Sequence, residues 1–372
     1  MNINDLATPS FLLDLDAFEA NLRAMAAMCE QTGVQLWPMV KTHKSTAIAR
    51  RQKDAGAAGF LTGTLDEAEQ LAAAGFTDLM LAYPVAGRAN VGRALALARQ
   101  ARVTFSLDGV AAARALAAAQ PADGPYLDYL IIIDSGLHRF GVPPAQAAEL
   151  AAALSGYKKL RLRGVATHPG QVYGANGRDG VAAAAADEIA ALTQARDVLL
   201  SHGYPVDIVA TGSTPTASLA AASGVVTALR PGNYVFYDNT QVALGVVPQE
   251  RCALAVLATI LSRPRPDTFI IDAGSKCLGL DKGAHGSSLL AGFGLVAGHP
   301  GLTVAGLSEE VGRVAITGDT SLAVGDKIAV IPNHACAAAN MTSWLVGHRQ
   351  GQTECALAVD MRGNVRLRPP LA

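Results

Sequence analysis

From about residue 10 to 245, short apolar and β-branched runs alternate with longer Ala/Leu-rich segments in which apolar side chains recur every three to four positions. This is the pattern of parallel βα units. The runs predict strands at 11–15, 36–40, 59–62, 79–82, 103–107, 127–134, 164–168, 206–211 and 226–229. The helical period predicts helices at 17–32, 65–74, 91–100, 109–119, 144–155 and 181–202. Such repetition points to an α/β fold, a (β/α)8 TIM-type barrel over residues 8–245. After about residue 245 the texture changes. Strand-like runs at 253–261, 268–271, 313–317, 327–331, 343–346 and 365–367 are broken by Gly, Pro and Asp, without a long helical period. Residues 246–372, joined by 1–7, read as a second, mainly β domain.

Composition removes several classes of function. The 372 residues carry 30 Lys plus Arg against 31 Asp plus Glu, a net charge of −1, with no basic run able to neutralise a line of phosphates. Nucleic acid is therefore not an expected partner. The first strand starts too soon after Met1 for a charged and apolar leader, and no apolar run approaches the roughly 18 residues of a membrane span. Five widely spaced cysteines do not make a disulfide framework, so a reducing cytoplasm is the expected location.

Candidate chemistry falls at strand ends, where barrel enzymes concentrate it. Lys41 closes the run 36–40 and could act as a nucleophilic amine, or simply be a solvated charge. Arg139, on the turn after 127–134, could donate twice to a phenolate or phosphate, or pair with Asp134. Thr211-Gly212-Ser213-Thr214-Pro215 and Arg230-Pro231-Gly232-Asn233-Tyr234 are small-residue turns after the last two barrel strands, where backbone N–H groups and hydroxyls can converge on a phosphate. The run Gly292 to Gly298 has neither the spacing nor the βαβ context of a dinucleotide loop. His334 and Cys336, two apart on an extended segment, could both reach one cation such as zinc, or be buried core residues.

Taken in order, these pieces resemble the D-serine dehydratase and D-threonine aldolase family of pyridoxal 5'-phosphate (PLP) enzymes, relatives of alanine racemase. The resemblance runs from Thr8-Pro9 through Val40-Lys41-Thr42-His43-Lys44, Thr64-Leu65-Asp66-Glu67-Ala68, Leu81-Ala82-Tyr83-Pro84-Val85, Asp134 to Gly141 and His168-Pro169-Gly170-Gln171-Val172-Tyr173-Gly174. It continues over Gly212-Ser213-Thr214-Pro215, Pro231 to Asp238, Asp272-Ala273-Gly274 and Pro332 to Cys336.

The resemblance implies an alanine racemase-like fold and a catalytic set of Lys41, His168 and Tyr173. Lys41 would form the Schiff base. Arg139 would face the phenolic oxygen, and Gly212, Ser213, Thr214, Gly232 and Asn233 the phosphate. Arg230 would stand at the pyridine nitrogen, keeping it unprotonated. His334 and Cys336 would bind a divalent metal, zinc in the first place, with manganese or magnesium as alternatives. The implied activity is a lyase converting a D-3-hydroxy amino acid, such as D-serine, D-threonine or a 3-hydroxyaspartate, to a 2-oxo acid and ammonia. Alternatives are a D-threonine-type aldolase giving glycine and an aldehyde, an amino-acid racemase, or a PLP-binding protein without turnover. His-x-Cys, rather than the aldolase branch's His-x-Asp, leans towards the dehydratase. Relatives also imply a homodimer with its active site at the subunit interface. Trp37, Met39 and Val311 stand where the family usually has Arg, His and His, pointing to a bulkier or less polar substrate than serine, or to a different reaction.

Overall fold

The structure, a computed structural model, describes residues 1–282 and 289–363. Two sheets organise it. Eight strands, all parallel, form the barrel: β2 (Gln35–Leu36), β3 (Phe60–Thr62), β4 (Asp78–Leu81), β5 (Arg102–Leu107), β6 (Leu127–Ile132), β7 (Leu160–Ala166), β8 (Ile208–Thr211) and β9 (Ala228–Leu229). They follow one another in space, with β2 beside β9. A parallel bridge between Met39 and Leu61, with the Leu61 N–H donating to the Pro38 carbonyl at 2.9 Å, brings β2 against β3. Inside, Met39, Leu61, Met80, Leu130, Ala166, Ala210 and Ala228 form one apolar cluster. Met39, Leu61, Met80 and Leu130 fill one arc of the ring, and the three alanines come from the consecutive strands β7, β8 and β9.

Helices at Leu15–Thr32, Leu65–Ala73, Arg88–Leu97, Val110–Ala119, Ala147–Leu154 and Gly177–Ser201 follow the sequence period within a few residues. Their ends have local causes. Asp14 caps the first by accepting from the Asp16 and Ala17 N–H groups at 2.9 and 3.1 Å, and Gly33 ends it at φ 69°, a left-handed geometry that costs a glycine little. The expected strand 36–40 is shorter as a strand because Pro38 has no N–H to give the ladder. The chain still bonds on either side of it, from Trp37 N to Leu229 O (2.7 Å) and Met39 N to Pro231 O (3.0 Å), then turns into a 3-10 helix at Val40–Thr42.

The second sheet has nine strands: β1 (Ser10–Asp14), β10 (Leu254–Arg265), β11 (Thr268–Ile271), β12 (Gly294–Val296), β13 (Leu302–Leu307), β14 (Gly312–Ile316), β15 (Lys327–Pro332), β16 (Trp344–Arg349) and β17 (Gln352–Ala358). Here one expectation is overturned. The run 11–15 was expected with the barrel strands, but β1 pairs antiparallel with β10 and parallel with β16 in the middle of this sheet. Phe11, Leu12 and Leu13 are all buried, and a helix follows at once, so locally the segment reads as a βα unit. Only pairing distinguishes the two sheets. Strands β12, β13 and β17 lay outside the sequence expectation, and Gly292–Gly298 runs through β12, not a nucleotide loop. The expected strand 365–367 lies outside the described residues.

Candidate active site

Every barrel turn singled out from the sequence opens into one cavity of about 260 Å3 at the C-terminal end of the parallel strands, and the second sheet closes one side of it. The cavity brings together Lys41, Arg139, His168 and Tyr173, the cradle candidates Gly212, Ser213, Thr214, Gly232 and Asn233, and Arg230, His334 and Cys336. None of the candidate residues lies elsewhere.

Lys41 sits in the 3-10 turn after β2, half-buried, with no carboxylate partner among the described residues. The lysine three positions on behaves differently. Lys44 is buried and its Nζ lies 2.5 Å from Oε1 of the fully buried Glu67, whose Oε2 accepts from the Gly63 N–H at 2.6 Å. This pair ties the Lys41 turn to the turn after β3. Behind it His43 is held neutral. Its Nδ1 accepts from the Ser45 N–H at 3.1 Å, its Nε2 bonds Gln52 at 3.1 Å, and burial pulls its pKa down to about 4.

Across the cavity, β8 and β9 end side by side, paired Thr211 to Leu229. A Cβ on Gly212 would lie 2.3 Å from the Arg230 carbonyl oxygen, so the close approach of the two turns requires glycine. Thr214 Oγ1 accepts from the Tyr234 N–H at 3.1 Å, while Ser213 Oγ and Asn233 Oδ1 are buried without partners. Arg230 is buried. Its Nη2 donates to the Thr167 carbonyl at 2.7 Å, but its Nε has no partner, and burial draws its pKa down to about 10 against the pull of Tyr83 and Glu188. Glu188, fully buried on the helix Gly177–Ser201, accepts from Thr211 Oγ1; burial raises its carboxyl to about 7.

His168 donates from Nδ1 to the Gly212 carbonyl at 2.6 Å, leaving Nε2 as an acceptor. Burial first, and then the charges of Lys41, Arg139 and Arg230, push its pKa down to about 3, so the ring is neutral at working pH. Burial raises the Tyr173 phenol, which stays protonated. Arg139, exposed at the cavity edge, lies 5.4 Å from the Tyr83 ring centroid and 5.5 Å from that of Phe140. It does not pair with Asp134. That carboxylate is taken by the Gly136 and His138 N–H groups (2.9 and 3.0 Å) and the His138 ring (2.7 Å), which shape the turn.

His334 and Cys336 meet by a different geometry from the extended one expected. His334 is the extended N-cap residue and Cys336 lies inside the short helix Ala335–Ala339 that follows β15. Cys336 Sγ is 3.3 Å from Thr42 Oγ1, and His334 Nδ1 is 2.9 Å from Asp281 Oδ2. Burial alone would lower the His334 imidazole, but the neighbouring Cys336 and Asp281 overcome it and raise it; burial would raise the Cys336 thiol, and His334 brings it down. Tyr83, Thr167, Asp281 and Glu188 had no assigned part in the sequence reading. Tyr83 stood within a quoted motif, but nothing local marks the other three.

The donor sets fit the implied groups. An uncommitted amine, a buried guanidinium N–H without an acceptor and a buried hydroxyl without a partner suit a cofactor with an aldehyde, a ring nitrogen and a phosphate. Among the described residues no group of three or more His, Cys, Asp or Glu side chains is arranged for a metal. His334 and Cys336 would offer two ligands to a metal. Met39 lines the cavity, whereas Val311 does not.

Comparison with known proteins agrees with this arrangement. The family description "Alanine racemase, N-terminal domain" matches residues 13–240, and a serine dehydratase domain matches 253–348. The chain is 35% identical to D-threo-3-hydroxyaspartate dehydratase of Delftia sp. over 89% of this chain and 91% of that one. It is 32% identical to D-threonine aldolase of Arthrobacter sp., over 96% and 93%. A solved structure of D-threo-3-hydroxyaspartate dehydratase, in a metal-free form, superposes with a TM-score of 0.88 at 32% identity, covering 96% of this chain and 98% of that one. No helix among the described residues is long and apolar enough to cross a membrane.

Proposed function

This chain belongs to the alanine racemase-like family of D-serine dehydratases and D-threonine aldolases, PLP-dependent enzymes of the lyase type, and from that membership we propose that it is a PLP- and metal-dependent dehydratase of a small D-3-hydroxy amino acid, releasing a 2-oxo acid and ammonia. The observation that carries the reading is the thiol–imidazole pair His334/Cys336, which lines the same cavity as Lys41.

In this reading Lys41 would hold the cofactor through its amine, Arg139 would serve the phenolic oxygen, Arg230 the ring nitrogen through its free Nε, and Gly212, Ser213, Thr214, Gly232 and Asn233 the phosphate. His334 and Cys336 hold a divalent cation, zinc by the softness of the thiolate. When bound, the cofactor withdraws electrons from the substrate Cα and the cation polarises the β-hydroxyl. The chain supplies the proton handling. The Lys41 amine, half-buried and without a carboxylate partner among the described residues, would take the Cα proton as general base. Neutral His168 accepts a hydrogen bond through Nε2, and Tyr173, protonated, donates one, so together they orient the substrate's polar groups. The guanidinium of Arg230, whose buried Nε has no partner, would leave a ring nitrogen placed beside it unprotonated and so a weaker electron sink.

The test is product analysis on a panel of D-3-hydroxy amino acids with and without chelator. Metal-dependent 2-oxo acid and ammonia support the dehydratase. Glycine and an aldehyde would establish the second reading, a D-threonine-type aldolase, which the 32% identity to such an enzyme favours. The same reading includes a homodimer, supported by the exposed Phe140 packed on Tyr83 at the cavity edge, and a cytoplasmic location, supported by five free cysteines. Sedimentation checks the first and fractionation the second.

A further inference from the structure

The short helix Ala335–Ala339, which carries Cys336, is pinned at both ends to barrel turns. At its start Asp238 Oδ2 accepts from the Ala335 N–H at 2.9 Å and from Asn233 Nδ2 at 2.7 Å, while Thr240 Oγ1 donates to the Asn333 carbonyl at 2.6 Å. At its end a single side-chain amide does the work. Asn340 Nδ2 donates to the Cys336 carbonyl at 2.7 Å within its own helix, and across the domain boundary to the carbonyls of Lys41 (3.2 Å) and Thr42 (3.4 Å). Two hydrogens serve three acceptors. The Oδ1 of the same amide is buried without a partner, so the side chain keeps this orientation for its donors alone.

We propose that Asn340 is a positioning residue that couples the Lys41 turn to the His334/Cys336 pair, so that cofactor and cation bind cooperatively; the inference rests on the assignment of those residues above. The carbonyls it holds belong to the 3-10 turn Val40–Thr42 that aims the Lys41 amine. Sliding the turn against the helix breaks the Asn340 bonds and the 3.3 Å contact of Cys336 Sγ with Thr42 Oγ1 together. A ligand that fixes either side therefore fixes the other, and the ordering cost is met once for both. By linkage the effect is reciprocal: cation tightens cofactor by the factor by which cofactor tightens cation.

The experiment titrates full-chain protein, freed of cofactor, with PLP, following the visible band of the Lys41 imine with and without zinc. Zinc is then titrated against a chromophoric chelator with and without PLP. In the wild type each ligand tightens the other by about fivefold or more. In Asn340→Ala both ligands still bind, but that factor falls to about one. Asn340→Ser sharpens the test, because a serine hydroxyl reaches only the carbonyl four residues back and so retains the Cys336 bond while losing both cross-domain bonds. It should keep the thermal midpoint near the wild-type value and lose the coupling. A merely structural role for Asn340 would lower thermal stability and leave the factor in place, which overturns the proposal, as does independent binding of the two ligands to the wild type. If the wild type forms no imine band with PLP, the assignment of Lys41 falls and the inference with it; if both ligands bind but ignore each other, the inference falls alone.

Discussion

Two histidines line the same cavity and are driven in opposite directions. His168, on the barrel side, is buried among Lys41, Arg139 and Arg230 and is pushed down to about 3. His334, on the side of the second sheet, is also largely enclosed, but Cys336, Asp281 and Asp238 outweigh its burial and raise it. The residue type is the same, and the charged neighbours are of opposite sign. The barrel wall collects cations and N–H donors, which suits the phosphate, phenolate and carboxylate of a cofactor–substrate pair. The opposite wall brings the Cys336 thiol and the Asp281 carboxylate beside His334, which suits a metal ion. A cavity polarised in this way draws an anion to one side and a cation to the other.

Breaking the cationic wall at its reactive point should have the largest effect. Lys41→Ala removes both the covalent anchor and the base, and turnover should fall by about 10^3- to 10^4-fold with loss of the visible cofactor band; a band of wild-type intensity would refute the assignment. Breaking the anionic wall comes next. Cys336→Ala should lower turnover by about 100-fold and abolish its sensitivity to chelator while the cofactor band persists, which steady-state kinetics with and without chelator checks. Arg230→Leu would remove the buried charge-assisted hydrogen bond proposed for the ring nitrogen. Its cost of about 1.5–3 kcal/mol should appear as a roughly 10- to 100-fold weaker cofactor affinity and a shifted absorption maximum.

A third histidine separates burial from charge. His43 is neutral through burial, which outweighs the opposite pull of Gln52, Asp360 and Ser45, rather than through neighbouring cations, so it serves as the control for His168. In the unfolded chain its pKa is the ordinary value of 6.5, and in the fold it is about 4. Between those values the unfolded state binds the extra proton. Stability from this group is present above pH 6.5 and is lost as pH falls towards 4, at up to about 1.4 kcal/mol per pH unit. Urea midpoints from pH 7 to 5 should therefore fall less steeply in His43→Gln than in the wild type.

Much of the cavity is legible in the sequence, because each turn announces itself. Lys41 follows an apolar run, Arg139 follows another, and the Gly-Ser-Thr and Gly-Asn turns close the last two barrel strands; in a parallel barrel all such turns emerge at one end. Local pattern fails where identical local segments have different partners. Strand β1 reads as one more βα unit and lies between β10 and β16 instead. Strands β12, β13 and β17 are short, Gly-rich or weakly alternating, and their pairing rather than their sequence makes them strands. Asn340 and Glu188 carry no motif; both matter through what lies beside them, two carbonyls 298 or more positions earlier in one case and Thr211 in the other.

The sequence by itself determined the barrel, the second β domain and the list of groups that face the cavity, because periodicity and strand-end turns are local properties that one chain carries everywhere along its length. Tertiary structure alone decided the charges of those groups and their alliances: which lysine is free and which is paired with Glu67, which histidine is neutral, and which amide joins the two domains. Those outcomes depend on burial and on neighbours distant in sequence, and electrostatics at a few ångströms has no local signature.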